Sequence, residues 1–272
     1  LINFSGYKKL NGSQLAKENI TYIINSLKSK ISETENQKKI IHIFNSKYLL
    51  DKKKIENLPV GLFGNFYSQE LSFFLIDNND YKNLRNIFGK CNLRVKKLIS
   101  KKFLEGAKLI SENSGLETFF KIIIDESYIE IMFFENSALK FTQKFDFGSD
   151  IVLNDISKII AVEKETLKNI LLNSNFSKEM TNDTLIEKDF FNTKNFRKIK
   201  KKLVIDIADA RVQEIAEIIF FKNINIQSFL KNDSTIYLNI NDFSNLKCFA
   251  DSYISAFGKD KKLKIKLIKQ TQ

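Results

Sequence analysis

The sequence predicts an α/β protein, and three observations carry that prediction. Apolar runs of strand length alternate with segments whose apolar residues recur at a helical period. Two of those runs, 119–125 and 128–134, are joined so tightly that they read as a hairpin. Turn chemistry falls between the runs and not within them.

Taken in order, residues 2–6 read as a strand leaving into a turn. Residues 13–28 carry Leu15, Ile20, Ile23, Ile24 and Leu27 close to a helical period. Residues 39–44 form a short apolar strand around His42, and 48–50 extend it. Asn57-Leu58-Pro59-Val60-Gly61 is a turn that contains the chain's only proline. Residues 70–76 make a second strong strand. Asn78-Asn79-Asp80 offers an N-cap for a helix with Leu84, Ile87 and Phe88 on one face, ending at Gly89 or Asn92. A short strand at 95–99 and a helix at 103–110 follow. After the hairpin, 139–145 continues the sheet, and 151–160 and 165–172 read as helices. Residues 173–195 are polar and weakly periodic, as in a linker. A long helix is expected over 196–222 with Ile199, Leu203, Ile207, Val212, Ile215, Ile218 and Ile219. A strand at 235–240, a helix at 243–257 and a strand at 263–268 close the chain, and no short-period repeat is present.

Composition narrows the function classes. A length of 272 residues favours a bilobal unit or two small domains, and 43% hydrophobic with 28% charged residues excludes wholesale disorder. The densest apolar run, 121–134, is interrupted by Asp125, Glu126 and Glu130, short of the roughly 20 apolar residues of a membrane span. Cys91 and Cys248 provide neither a disulfide framework nor zinc spacing. His42, the single histidine, excludes a histidine metal cluster and any Ser–His mechanism not centred on it. Cys91, beside a helix end and without a base, reads as a small packed residue.

The formal charge of +12 invites a nucleic-acid reading. Yet only Arg85, Arg94, Arg197 and Arg211 are arginine, and the chain is crowded with Asn, Ile and Phe. That pattern fits lysine codons in a low-GC gene better than selection for arginine forks, so nucleic acid is not expected as a partner. The cluster Lys198, Lys200, Lys201 and Lys202 reads as a solvated face. The chain starts at Leu1 without a signal-peptide pattern, so a processed chain or a fragment is expected.

Several motifs go beyond fold class. His42-Ile43-Phe44-Asn45-Ser46-Lys47-Tyr48-Leu49-Leu50-Asp51, followed by Asn57-Leu58-Pro59-Val60-Gly61-Leu62-Phe63-Gly64, resembles the FtsA family of bacterial cell-division proteins. The family pattern there is His-x-x-Pro-x-x-Tyr-x-x-Asp, then Asn-Pro-x-Gly-x-x-Gly. The resemblance continues through Tyr81-Lys82-Asn83-Leu84, Cys91-Asn92-Leu93-Arg94-Val95, Gly148-Ser149-Asp150-Ile151-Val152-Leu153-Asn154-Asp155-Ile156, Glu165-Thr166-Leu167-Lys168 and Ala210-Arg211-Val212-Gln213-Glu214-Ile215. Each piece is short, but they occur in family order over nearly the whole chain.

The resemblance implies an actin-like, ribonuclease H-like fold that lacks the first half of subdomain 1A and opens on an FtsA-type subdomain 1C. It maps 1–76 to 1C and 77–115 to the remainder of 1A. It maps 116–164 with 231–272 to 2A, and 165–230 to 2B. The family's C-terminal membrane-targeting helix has no counterpart, since Leu263, Ile265 and Leu267 alternate as in a strand. The family role so implied is a scaffold at the inner face of the bacterial cytoplasmic membrane, not an enzyme. It would bind the tubulin-like FtsZ through 2B, self-associate into actin-like polymers, and meet other division proteins through 1C. Membrane contact would be peripheral, by way of the missing helix.

ATP and Mg²⁺ are the cofactors the resemblance implies, but the motifs depart from the family where phosphate should sit. Glycine-rich hairpins cradle phosphate because a Cβ blocks close approach of backbone N–H groups. In place of Asp-x-Gly-Gly-Gly-Thr-x-Asp-Ile stands Ile124-Asp125-Glu126-Ser127-Tyr128-Ile129-Glu130-Ile131; Asp125 survives, Glu130 takes the second Asp position, and Glu126 adds negative charge. The adenosine-side Leu-Thr-Gly-Gly-Ala-Ser is Leu238-Asn239-Ile240-Asn241-Asp242-Phe243, again without glycine. The nucleotide site is therefore expected to be degenerate. Asp125 reads either as a leftover Mg²⁺–water ligand or as a hairpin residue in solvent. Arg211 and Glu214 read either as ribose or base contacts or as charges on an amphipathic helix. By the family pattern His42, Tyr48 and Asp51 are structural, Pro59, Gly61 and Gly64 set a turn, and Gly148 and Asp155 join sheet to helix. Two rivals remain: a working actin-like ATPase using Asp125 and Glu130, and a basic nucleic-acid-binding protein.

Overall fold

The computed structural model describes residues 1–174, 176, 184–191, 197–231, 233–241, 247–260 and 262–268. In chain order these form β1 (Ile2–Lys9), α1 (Lys17–Thr34), β2 (Lys38–Leu50), β3 (Lys53–Ile55), β4 (Phe66–Asp77), α2 (Asn78–Lys90), α3 (Lys101–Glu112), β5 (Phe119–Ile124), β6 (Ile129–Glu135) and β7 (Ala138–Phe145). Then come α4 (Asp150–Ile160), α5 (Lys164–Asn173), α6 (Lys201–Ala216), α7 (Ile224–Gln227), β8 (Thr235–Ile240), α8 (Ala250–Phe257) and β9 (Lys264–Leu267). Two compact units result: Leu1–Thr118 with Phe133–Thr142, and Phe119–Met132 with Gln143–Gln272.

The first unit holds a four-stranded sheet in the order β1-β4-β2-β3, with every ladder antiparallel. Ile20, Ile23, Leu27 and Ile31 recur every three or four residues on α1, so they share one face. That face closes over Tyr67, Leu71 and Phe73, with Leu10, Leu15 and Leu50 filling the edges of the same core. Helix and sheet approach so closely at Gly6 that a Cβ there would lie 2.2 Å from Ile23 Cγ2.

The two pieces expected at 39–44 and 48–50 are one strand, β2. Its register slips between Ile40 and His42 and again between Asn45 and Lys47. Each slip inserts an unpaired residue that breaks the period of two, which is why the sequence reads as interrupted there. The second bulge turns Ser46 inward, leaving it 1% exposed.

The other sheet has five strands in the order β7-β6-β5-β8-β9, with β5–β8 and β8–β9 parallel. Every residue of β5 and β6 is buried, as expected for strands covered on both faces. The β6–β7 connection is the pair Asn136-Ser137, both at positive φ, which suits a two-residue hairpin turn. Helices α4, α6 and α8 carry the covering apolar faces: Val152, Leu153 and Ile156, then Val204, Ala208 and Val212, then Tyr253 and Phe257. Phe220 meets Phe120 and Phe257 edge-on at 5.2 and 6.0 Å between ring centroids. Three successive strands followed by two parallel strands reached through helices is the ribonuclease H-like order of actin-like proteins, as expected.

Several local expectations are corrected. Residues 95–99 have no ladder partner among the described residues and run as coil. The helix expected to cap on Asn78-Asn79-Asp80 starts at Asn78, with Asp77 at the N-cap and no side-chain cap bond. The long helix begins at Lys201, because Lys200 is held in a bridge with Leu185; it ends in a π turn, Glu217–Phe221. Lys201 is 3% exposed and pairs with Glu187, so the lysine cluster is not uniformly solvated. Cys91 is exposed, whereas burial pushes the Cys248 thiol up to about 12. Much of the linker expected at 173–195, the start of the 196–222 helix at Phe196, and Asp242 and Phe243 lie outside the described residues.

Candidate functional site

The motif in place of the phosphate loop lies in the second unit, where three backbone segments converge. The β5–β6 turn is closed by the Asp125 N–H donating to the Tyr128 carbonyl at 2.9 Å. The Asp125 side chain accepts from the Glu126 N–H at 2.8 Å and from Asn241 Nδ2 at 3.0 Å. Asn241 itself extends the β5–β8 ladder, donating its N–H to the Ile124 carbonyl at 2.8 Å. The two segments that the resemblance aligns with nucleotide motifs thus meet, bonded to each other.

The amino end of α4 abuts the same turn. The N–H groups of Ser149 and Asp150 donate to the carbonyls of Asp125 and Glu126 at 2.9 and 3.0 Å. These are helix-entry amides of the kind that bind anions when left open. Gly148 permits the approach, since a Cβ there would lie 2.2 Å from the Asp125 carbonyl oxygen. Gly148 stands where the β5–β6 turn meets the start of α4. Asp155 pairs with Arg211 and so joins α4 to α6.

Charge around the turn is paired internally. Glu126 meets Lys168 at 3.4 Å, and Asp150 pairs with Lys164 and accepts from Asn154 Nδ2 at 2.9 Å. Burial alone would raise the Asp150 carboxyl, but its bonds to Lys164 and Asn154 outweigh that and hold its pKa below the usual 3.8. Arg211 also holds Glu214 at 2.7 Å, so both ends of its guanidinium are engaged by carboxylates. Glu130 is buried within β6, and the Oδ1 atom of Asn239, on β8, lies buried without a hydrogen-bond partner among the described residues. Among the described residues no group of three His, Cys, Asp or Glu side chains is arranged to hold a metal ion.

The motif residues of the first unit are built into its backbone. Asp51 sits at φ 49° and accepts from the N–H groups of Asn65 and Phe66 at 2.9 and 2.8 Å. Gly61, at φ 90°, donates to the Leu15 carbonyl, and the Pro59 carbonyl accepts from Leu62. Gly64 lies against Leu50, and Tyr48 stands opposite Gln69 on β4, its phenol pKa raised by burial. His42 Nε2 accepts the Ser100 N–H at 3.1 Å, at the start of α3, and its ring stacks on Phe44.

That bond needs a neutral ring. Burial and the charge of Lys97 hold the His42 pKa below 6.5, so the unfolded chain takes up the proton more readily. Its contribution is full above about pH 6.5 and is lost as pH falls. Ser100 amide exchange, corrected for intrinsic rate, is expected to accelerate as pH falls below about 6.5. Constant protection over that window would show that the imidazole does not hold α3.

A feature invisible in the sequence lies beside the second β2 bulge. Lys140 Nζ donates to Ser46 Oγ at 2.8 Å and to Glu70 at 2.7 Å, while Lys47 reaches Glu70 at 3.5 Å and Glu135 at 3.6 Å. A polar cavity of about 440 Å³ adjoins it, lined by Asn45, Ser46, Lys47, Tyr48, Lys54 and Asn136 among others.

The sheet order and the converging turns define an actin-like α/β protein. No family model matches the chain. It is 20% identical over 265 residues to the cell division protein FtsA of Buchnera aphidicola subsp. Acyrthosiphon pisum, covering 94% of this chain and 63% of that protein. To the FtsA of Buchnera aphidicola subsp. Schizaphis graminum it is 23% identical over 206 residues, covering 68% and 49%. Among solved structures it overlaps MreB 5 of Spiroplasma citri bound to AMPPNP with a TM-score of 0.43 at 12% identity, covering 71% of this chain and 60% of that one. The chain is similar to cell division proteins named FtsA at 19–23% identity and spans less than two thirds of the length of those it matches.

Proposed function

We propose that this chain serves cell division as an FtsA-like protein acting through association with other proteins, with a nucleotide site that no longer works. The observation that carries the reading is the filled amino end of α4. The Ser149 and Asp150 amides are already spent on the carbonyls of Asp125 and Glu126. Charge-assisted hydrogen bonds contribute about 1.5–3 kcal/mol each, so two amides withheld from a phosphate remove a large share of triphosphate affinity. The Asp125 carboxylate, which among the described residues accepts only from the Glu126 N–H and the Asn241 side-chain amide, would repel what remained. These residues do not fit ATP–Mg²⁺.

On this reading the partners are an FtsZ-like tubulin homologue through 165–230, further copies of the chain, and other division proteins through the 1C-like region, 1–76. On the same reading 77–115 is the remainder of subdomain 1A, and 116–164 with 231–272 form 2A. The place of action is the bacterial cytoplasm at the inner membrane face. No helix among the described residues is long and apolar enough to cross a membrane.

Isothermal titration of ATP–Mg²⁺ into the full-length protein is expected to give no saturable heat below about 1 mM. Micromolar binding would overturn the reading. Phosphate release abolished by Asp125→Asn would replace it with the ATPase.

A further inference from the structure

Helix α5 is fastened to the rest of the second unit in two ways. The first is local. α4 ends at Ile160 and α5 begins at Lys164, and the turn between them is held by Ala161 at φ 52° and by Ser157 Oγ donating to the Val162 carbonyl at 2.6 Å. Leu167, Ile170 and Leu171 then bury the face that holds the helix down. The second fastening is electrostatic. Lys164 and Lys168 stand one helical turn apart and share a face of α5. Lys164 pairs with Asp150 in the first turn of α4, and Lys168 meets Glu126 in the β5–β6 turn at 3.4 Å.

The two acceptors are themselves joined, since the Asp150 N–H donates to the Glu126 carbonyl at 3.0 Å. Turn, α4 and α5 therefore close a triangle of contacts. Asn154 Nδ2 donates to Asp150 at 2.9 Å, and Glu165 adds a carboxylate 3.7 Å from Lys168. Burial works to lower the Lys168 pKa, but Glu126 and Glu165 outweigh it and hold it above 10.5. We propose that the two lysine pairs form a strap that fixes α5 on the β5–β6 turn with no nucleotide bound, so that the segment α5 opens stays placed for a partner whether or not ATP is present. This rests on the proposed reading, in which 165–230 meets the partner and the nucleotide site is filled. Every charge in the strap belongs to the chain, so no anion has to bind for the helix to be held. Apolar burial is non-directional and would leave the helix free to roll on its buried face. Each pair is partly exposed and weak alone, but two ammonium groups with separate acceptors fix the rotation of one rigid helix.

The test is amide hydrogen exchange in the full-length protein, read over α5 with β5 and β8 as internal reference. The double variant Lys164→Met, Lys168→Met is expected to accelerate α5 exchange about fivefold, as two surface pairs of ordinary strength would give, with β5 and β8 unchanged. Glu126→Lys should act in the same direction, and adding Lys168→Glu to it should restore part of the protection, because the pair is then reversed. Salt at about 0.5 M should loosen α5 in the wild type. ATP–Mg²⁺ at about 1 mM should leave α5 exchange unchanged. Indifference of α5 to the double variant, no recovery in the reversed pair, or equal acceleration in β5 and β8 would overturn the proposal. So would slower α5 exchange on adding ATP–Mg²⁺, because nucleotide would then place the helix. The two readings fail separately. Calorimetric ATP binding with α5 exchange as expected removes the degenerate site and leaves the strap; no ATP binding with indifference to the lysine variants removes the strap alone.

Discussion

Replacing Gly148 with alanine is expected to cost the second unit at least about 3 kcal/mol, or to leave it insoluble. A Cβ at this position would stand 2.2 Å from the Asp125 carbonyl oxygen, 2.5 Å from that of Glu126 and 2.6 Å from the Glu126 carbonyl carbon. All three are backbone atoms, so no rotamer change relieves the overlap. The β5–β6 turn must retreat or the first turn of α4 must unwind. Either way the Ser149 and Asp150 amides lose their acceptors, at about 1 kcal/mol each beyond the steric term. Gly89→Ala is the matched control. Nothing lies within 4 Å of a Cβ there, inside α2, so alanine is expected to stabilise by about 0.5–1 kcal/mol. Urea unfolding of both variants measures the contrast. A loss below about 1 kcal/mol at Gly148 would mean that the turn and α4 do not meet as described.

The contrast between these glycines shows how far the sequence could be read. Alternation and helical period located β5, β6, β8, α4 and α5 to within one residue, because each buries one face or both, and found β4 and α1 with ends misplaced by four to six residues. Where a bulge inserted Ile41 and Ser46, the period failed and β2 looked like two strands. At 95–99 the strand pattern was present but its ladder was not, since pairing depends on a neighbour that local sequence does not reveal. The meeting of Asp125 with Asn241 spans 116 residues of chain, and that of Lys140 with Ser46 spans 94. Neither leaves a periodic mark. The family resemblance supplied Gly148 and Asp155 as a pair, yet only coordinates separate the glycine that admits two carbonyls from the aspartate that ties α4 to Arg211.

Lys140→Met is expected to destabilise the first unit by about 2–4 kcal/mol at pH 7, the second-largest effect foreseen. The methionine keeps the stem's packing and removes the charge. Ser46 Oγ and Glu70 then lose a donor, in a site where Lys140 is only 9% and Glu70 26% exposed. Lys47 still neutralises part of Glu70 from 3.5 Å, which keeps the loss below that of a fully orphaned carboxylate. The pH dependence separates charge from packing. Burial works to raise the Glu70 carboxyl, but the Lys140 hydrogen bond and charge, joined by Lys47, outweigh it and hold the pKa below 4.5. A depressed carboxyl contributes stability that is present above the unfolded value and is lost as pH falls through the folded one. The gap between wild type and Lys140→Met should therefore be widest near neutrality and narrow below about pH 4.5. Glu70→Gln should reproduce much of the loss at pH 7, and the double variant should cost less than the sum of the singles, as for residues that share one interaction. A gap as wide at pH 3 as at pH 7 would assign Lys140 a packing role and leave Glu70 without a partner that matters.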